Sequence, residues 1–443
     1  MSIFTTSALP TLLIAAIVPT ALGRADDATP SHGIVPIPEY TGDFATRSHL
    51  SGDWDGHRTA LANKGVTLDL SYTQLVQDVT NGGAETGTRY GGKFDTLLNL
   101  DLDRMGAVAG GLVTMRIESR YGESANEIAG TILPVSDTMY FPLTSPHDDA
   151  IVATVTELLY TQFFSKELGV FVGKFTILGA DTNEFAGGRG DTQFLGHQFT
   201  SASVTSLFNP YSALGTGAFF MPTPEVTLSS SVYTSTDSST SAGFDTLDEG
   251  LIWSTALAWQ YRLGELPGGV RATYQFAFDR NFVEFTGQFI TPDGVSIPVD
   301  GSSWCAFANA WQYLWVEEAA TKPINVADGQ TDLQGIGVFL RGGIADPDTN
   351  PIKWIVSGGV AAKGLLPGRD RDTIGVGYAY SQTSELPFVT SLILNETSSR
   401  FEAYYDFALT PAADLTLDVQ IADSLLSTND TATVLGARLR LEF

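Results

Sequence analysis

The stretch that decides the fold is residues 270–279, which reads VRATYQFAFD. Its apolar side chains fall at every second position and are Val270, Ala272, Tyr274, Phe276 and Phe278. The positions between them are mostly polar and include Arg271, Thr273, Gln275 and Asp279. Because successive side chains of a β-strand point to opposite faces, this period of two predicts a strand with one apolar and one polar face.

The same alternation recurs in segments of about ten residues from Val66 to Phe443, separated by turns rich in Gly, Asn, Asp, Pro and Ser. Clear examples are residues 66–73, 96–103, 111–120, 226–233, 333–341, 373–381, 400–409, 414–421 and 433–443. Residues 151–164, 168–175, 251–261, 303–314 and 354–362 resemble strands without a clear choice of face. The pattern predicts an all-β antiparallel protein.

A soluble sandwich or barrel would alternate in the same way, so a membrane barrel needs further support. The segments have the length of a tilted membrane-spanning strand, and they continue to the last residue. Dividing the roughly 390 residues after the lead-in by about 24 residues per strand and connection gives about 16 strands. Aromatic pairs at segment ends resemble the girdle of a membrane interface and are Trp311 with Tyr313, Tyr378 with Tyr380, and Tyr404 with Tyr405.

The first 65 residues read differently from the rest. Residues 1–25 contain an apolar stretch ending in small residues, which predicts a secretory signal peptide. Residues 26–50 are rich in Pro, Gly and Asp and predict an extended lead-in. Residues 51–65 predict one short helix, with Ser51 or Asp53 as its cap and Gly65 at its end. Residues 66–443 are then the predicted transmembrane barrel.

Composition narrows the possible functions. The formal net charge of −26 leaves no cationic surplus for nucleic-acid binding. Cys305 is the single cysteine, so neither an internal disulfide nor a cysteine-based zinc site can form. The sequence contains no nucleophile elbow, phosphate-binding loop or dinucleotide fingerprint. We therefore predict a protein that is not an enzyme and has no cofactor or metal. Acidic clusters at 145–149 and 237–249 predict loops that could meet lipopolysaccharide through divalent cations or simply be solvated.

Charged residues on the polar faces are the candidate functional residues. They are Arg116, Glu118, Arg120, Arg271, Arg341, Glu402, Arg438 and Arg440. In a membrane barrel these faces line the lumen, where guanidinium and carboxylate groups can hydrogen-bond sugar hydroxyls. Salt bridges that brace the wall are the alternative role for each of them.

Several motifs resemble the carbohydrate-selective porin (OprB-type) family of bacterial outer membranes. The opening run SGDWDGHR, residues 51–58, is similar to the family's helix motif, with Asp55 in place of its usual glycine. Other matching runs are GKF at 173–175 ahead of 181–188, FLRGG at 339–343, GLLPGRDRDTIGVGY at 364–378 and LGARLRLEF at 435–443. The strand at 417–421 and the residues that follow it both depart from the family's pattern.

The resemblance implies an outer-membrane porin for passive, selective diffusion of mono- or oligosaccharides, with a short periplasmic helix before the barrel. It also implies that the barrel-assembly machinery reads the terminal Phe443. A general-diffusion porin and a structural, envelope-anchoring barrel remain alternatives, and either a monomer or a homotrimer fits the sequence.

Overall fold

The alternating segments fold into the strands of a closed antiparallel barrel. The computed structural model describes residues 33–140, 152–177, 181, 183–206, 208–285, 289–291, 294–296, 298–317, 333–384 and 393–443. The predicted signal peptide 1–25 and the acidic cluster 145–149 lie outside these residues. Within the described part of the chain, no helix is both long and apolar enough to cross a membrane.

Sixteen strands form the barrel, and each pairs with its neighbour along the chain, while the first pairs with the last to close the circle. The strands are β1 (Val66–Asn81), β2 (Gly87–Asp101), β3 (Gly111–Gly122), β4 (Val152–Phe163), β5 (Leu168–Thr176), β6 (Ser212–Thr223), β7 (Val226–Thr234), β8 (Leu251–Leu263), β9 (Leu266–Val283), β12 (Val299–Val316), β13 (Gly335–Ala345), β14 (Ile352–Lys363), β15 (Thr373–Thr383), β16 (Thr397–Thr410), β17 (Ala413–Ala422) and β18 (Ala432–Glu442). A separate hairpin of β10 (Phe289–Thr291) and β11 (Gly294–Ser296) lies between β9 and β12. The predicted strand number is confirmed.

The period of two separates outside from inside as the sequence predicts. On β9, Val270 and Tyr274 are exposed, whereas Thr273 and Gln275 are buried. Large apolar side chains are exposed on strands around the barrel, among them Leu68, Leu158, Val172, Leu257, Leu340, Val376, Leu417 and Leu435. A soluble protein rarely exposes so extended an apolar surface, so the soluble alternative is wrong and the exposed belt is the lipid-facing wall.

The girdle prediction holds only in part. Tyr378 is exposed on the outer face. Trp311 and Tyr313 instead point into the barrel, where both rings pack against Phe185. Tyr404 is also buried inside. The prediction is wrong for these three residues because proximity to a strand end does not determine which face a ring occupies.

The two ends of the barrel differ in the length of their connections. At one end, residues 224–225, 264–265 and 411–412 form two-residue turns, and the connection 317–334 is the longer exception. At the other end, the connections 123–151, 177–211 and 235–250 are long. Outer-membrane barrels have short periplasmic turns and long extracellular loops, which orients the chain.

The predicted helix is shorter than residues 51–65 and is accompanied by two other single-turn helices. Helix α1 spans His57–Ala62, while α2 (Asn126–Ala129) and α3 (His197–Thr200) lie in the long connections. Gly56 rather than Ser51 or Asp53 is the residue before the helix, although the Asp53 carboxylate accepts a hydrogen bond from the amide of Thr59 at 2.7 Å. The segment lies at the periplasmic end, since the amide of Leu50 donates to the carbonyl of Glu442 at 2.7 Å.

Candidate functional site

The connection between β5 and β6 folds into the barrel. We call its residues 183–206, together with Asp181, the inserted segment. Nearly all of its side chains are buried, although no secondary-structure element in it exceeds four residues. Many of its partners lie on strands of the opposite wall, from β12 to β18, while Arg189 and Asp191 contact β3 and β2. The lumen is therefore divided, and a permeant has to pass beside this segment.

Three phenylalanines hold the inserted segment against inward-facing glycines. A Cβ added to Gly337 would lie 2.1 Å from the ring of Phe185. Cβ atoms added to Gly375 and Gly377 would lie 2.9 Å and 2.7 Å from the rings of Phe194 and Phe199. Protein interiors are close-packed, so no larger residue fits at these positions without displacing the rings.

Arg341 anchors the inserted segment to β13. Its Nε donates to the carboxylate of Asp181 at 2.6 Å, and its terminal nitrogens donate to the carbonyls of Phe199 at 2.5 Å and Ala186 at 3.0 Å. The side chain is 1% exposed. All three guanidinium nitrogens thus donate hydrogen bonds to the segment, which covers the side chain.

Glu402 and Arg438 hold the same segment from β16 and β18. The Glu402 carboxylate accepts the amides of Leu195 at 2.5 Å and Gly196 at 3.0 Å. Arg438 donates to the carbonyls of Gly190, Thr192 and Gln193. Both side chains are buried, so a permeant could reach them only if the segment moved away.

A second connection, between β3 and β4, also enters the barrel. Arg400 on β16 donates to the carbonyl of Leu133 at 2.5 Å. The Asp137 carboxylate accepts a hydrogen bond from Nδ1 of His197, a residue of the inserted segment, at 2.7 Å. Burial opposes ionisation of Asp137, but His197 and the hydroxyl of Thr200 outweigh it and hold its pKa below the usual value. The two connections are thus joined to each other as well as to the wall.

The three charged residues predicted on β3 do lie together. Arg116 keeps 23% of its side chain exposed and donates to Asp95 at 2.8 Å, with Glu157 at 3.7 Å. Glu118 is fully buried, and Arg120 donates to the carbonyl of Thr138 at 2.9 Å. Of this trio, only Arg116 is open to a permeant.

Arg271 occupies a different part of the wall. It lies on the inward face of β9, where its register partner on β12 is Asn309. Asn309 in turn donates to the backbone carbonyl of Asp181 at 3.2 Å. Arg271 therefore belongs to the side of the barrel that the inserted segment fills.

Arg189 is a candidate that the sequence analysis missed. It forms the tip of the inserted segment between Gly188 and Gly190, and all three residues have left-handed backbones, with φ of 73°, 54° and 77°. Its guanidinium lies 3.1 Å from the Glu118 carboxylate. A left-handed arginine is strained by about 1–2 kcal/mol. The run GGRGD at 187–191 was the available signal, because glycines on both sides permit such a tip.

Equal numbers of positively and negatively charged side chains lie at and around this tip. We define the charged cluster as four cations, Lys93, Arg116, Arg120 and Arg189, with four carboxylates, Asp95, Glu118, Glu157 and Asp191. Burial would raise the pKa of Asp191, but Lys93 and Arg189 outweigh it and hold that pKa below its usual value. When all eight groups are ionised their formal charges cancel, although the whole chain carries −26.

Comparisons with known proteins agree with this architecture. A family model described as carbohydrate-selective porin, OprB family, matches residues 85–443. The chain is 26% identical over 351 residues to Porin B of Pseudomonas aeruginosa, covering 74% of this chain and 73% of that protein. It is similar to the high-pH structure of Pseudomonas putida OprB, with a TM-score of 0.75, 20% identity, and coverage of 91% of this chain and 100% of that chain. The low-pH structure of the same protein gives a TM-score of 0.56 at 18% identity, covering 90% of this chain and 99% of that one.

Proposed function

The chain belongs to the carbohydrate-selective porin, OprB family, and is a porin of the bacterial outer membrane, and we propose that its charged cluster is the site where permeating sugars are selected. The family and the barrel indicate a channel rather than an enzyme. The observation that carries the proposal is the position of Arg116. It lies on the inward face of β3, keeps 23% of its side chain exposed and is held between the carboxylates of Asp95 and Glu157.

The chemistry of the cluster suits a neutral polyol. Guanidinium groups donate and carboxylates accept, so adjacent sugar hydroxyls can bind to Arg116 and Asp95 in the same encounter. When all eight groups of the cluster are ionised they carry no net formal charge, and the cluster then adds little net attraction for an ion. Weak, multiple contacts are what a channel needs, because a permeant must enter readily and also leave.

The buried members of the predicted set take a different role in this proposal. Arg341, Glu402 and Arg438 fix the inserted segment, Glu118 fixes the tip that bears Arg189, and Arg120 holds the connection between β3 and β4 at Thr138. They shape the constriction without touching the permeant. Recognition of Phe443 by the assembly machinery, contact with lipopolysaccharide and the choice between monomer and homotrimer remain predictions from the sequence.

Replacing Arg116 by alanine is expected to weaken selection while leaving the barrel folded. Losing one hydrogen bond from a charged donor corresponds to about 1.5 kcal/mol, or about a tenfold fall in the rate of sugar entry relative to amino acids of similar size. Swelling of liposomes containing the purified variant measures this ratio.

The matched control is Arg262→Ala, which removes an exposed arginine beside a periplasmic turn. In this control the ratio of sugar entry to amino acid entry should equal that of the parent. Both variants should retain the parent's heat-resistant mobility on gels. An unchanged ratio in Arg116→Ala would remove Arg116 from the selective site.

A further inference from the structure

A second group of aromatic and charged side chains lies at the periplasmic end of the barrel. We call it the exit cluster, and it consists of Tyr40, His49, Trp54, Arg58 and Asp69. The Arg58 guanidinium lies 4.1 Å from the ring centroid of Tyr40 and 5.2 Å from that of Trp54. The same guanidinium is 3.2 Å from Asp69. The segment before the barrel thus places two aromatic rings and a guanidinium close to a carboxylate of the barrel wall.

Asp69 faces the part of the lumen that leads away from the charged cluster. It lies on the inward face of β1, two residues before Ser71. Ser71 pairs with Asp95 of the charged cluster on one side and with Glu442 on the other. The Asp69 side chain is 31% exposed, and His49 at 3.3 Å and Arg58 fix its orientation. A sugar leaving the constriction on this side of the lumen therefore meets an accessible and fixed acceptor.

Trp54 is the unusual member of the exit cluster. Its backbone is left-handed with φ of 52°, and Asp55 and Gly56 continue that conformation with φ of 56° and 88°. A bulky residue rarely adopts this conformation, and strain of this kind concentrates at binding sites. The strained indole is nevertheless 40% exposed. Arg58 lies over the ring, and the exposed part of the indole remains open to a ligand.

We infer that the exit cluster is a second carbohydrate subsite, in which Trp54 stacks on the apolar face of a pyranose and Asp69 accepts its hydroxyl groups. An aromatic ring can pack on the apolar face of a sugar while a neighbouring carboxylate accepts hydrogen bonds from its hydroxyl groups. The inference rests on the proposed function, since it requires that sugars traverse the lumen. The subsite would receive a sugar after the constriction and, from the periplasmic side, would be the first contact.

Single-channel recording with maltose added to one side of a planar bilayer tests this subsite. Maltose added from the periplasmic side is expected to interrupt the ion current about fivefold less often in Trp54→Leu than in the parent. Trp54→Tyr keeps an aromatic face and should recover most of the interruptions. Interruptions caused by maltose added from the extracellular side should change much less in both variants, because that sugar meets the charged cluster first.

The outcomes separate the two proposals. If maltose never interrupts the parent current from either side, the proposed function fails. If the parent is interrupted and Trp54→Leu matches it from the periplasmic side, the exit subsite is overturned while the proposed function stands. If Trp54→Leu lowers only the temperature at which the barrel unfolds, Trp54 anchors the segment and the subsite is again overturned. Asp69→Asn, which keeps hydrogen bonding but removes the charge, should also reduce periplasmic-side interruptions.

Discussion

Replacing Arg341 by methionine is expected to release the inserted segment and convert a selective pore into a wide one. The change leaves the buried carbonyls of Phe199 and Ala186 without their donor, and within the described part of the chain the Asp181 carboxylate keeps only its hydrogen bond from Asn309. Breaking a buried charge pair by removing one partner is destabilising by about 3–5 kcal/mol. The segment contains no element longer than four residues to hold it in place, so we expect it to leave the lumen.

The barrel itself should survive this change, because its ladder of strand pairs does not depend on the segment. Single-channel conductance measures the result, and we expect a large increase together with loss of the preference for sugars. Asp181→Asn breaks the same pair and should give the same phenotype, and the double variant should be little worse than either single variant. Unchanged conductance in Arg341→Met would show that Glu402, Arg438 and the phenylalanines hold the segment without Arg341.

Replacing Arg58 by alanine is expected to weaken the seam where the barrel closes. Arg58 is buried and donates to the carbonyl of Leu68 on β1 and to that of Phe443 just after β18, at 2.5 Å and 2.9 Å. Its loss leaves both carbonyls and Asp69 without this donor. Hydrogen bonds from a charged group contribute about 1.5–3 kcal/mol each, so the total loss is about 3 kcal/mol or more.

The temperature at which the folded barrel converts to the unfolded form on gels measures this effect. Arg47→Ala is the matched control, because Arg47 lies on the same segment and its hydrogen bond to Leu50 stays within it. Arg58→Ala should convert at a clearly lower temperature than Arg47→Ala. Equal conversion temperatures would mean that Arg58 does not secure the seam.

The strands were predictable because the period of two is imposed locally by backbone geometry and by the lipid outside. Residues 270–279 show this well, since every exposed apolar position was assigned to the outer face. Strand β6 was not identified. Its outward face includes Thr216 and Ala218 beside Phe220, and its inward face includes Gly215 and Gly217, so the contrast in polarity is weak.

The constriction could not be predicted to the same extent. Alternation places Arg341 and Arg438 on the inner face, but it cannot show that a distant connection covers them. The inserted segment has no regular period, and its fold depends on phenylalanines that meet glycines of β13 and β15 far along the chain. Alternation likewise places Arg116 on the inner face, but it cannot show that this side chain keeps 23% of its surface exposed beside the Arg189 tip.

The rate of sugar entry into liposomes tests the central claim most directly. The purified protein is reconstituted, and swelling is compared for glucose, a disaccharide and amino acids of similar size. We expect sugars to enter faster than amino acids of equal size, because the charged cluster offers paired donors and acceptors without net charge. Equal rates for sugars and amino acids would contradict the account and indicate a general-diffusion pore.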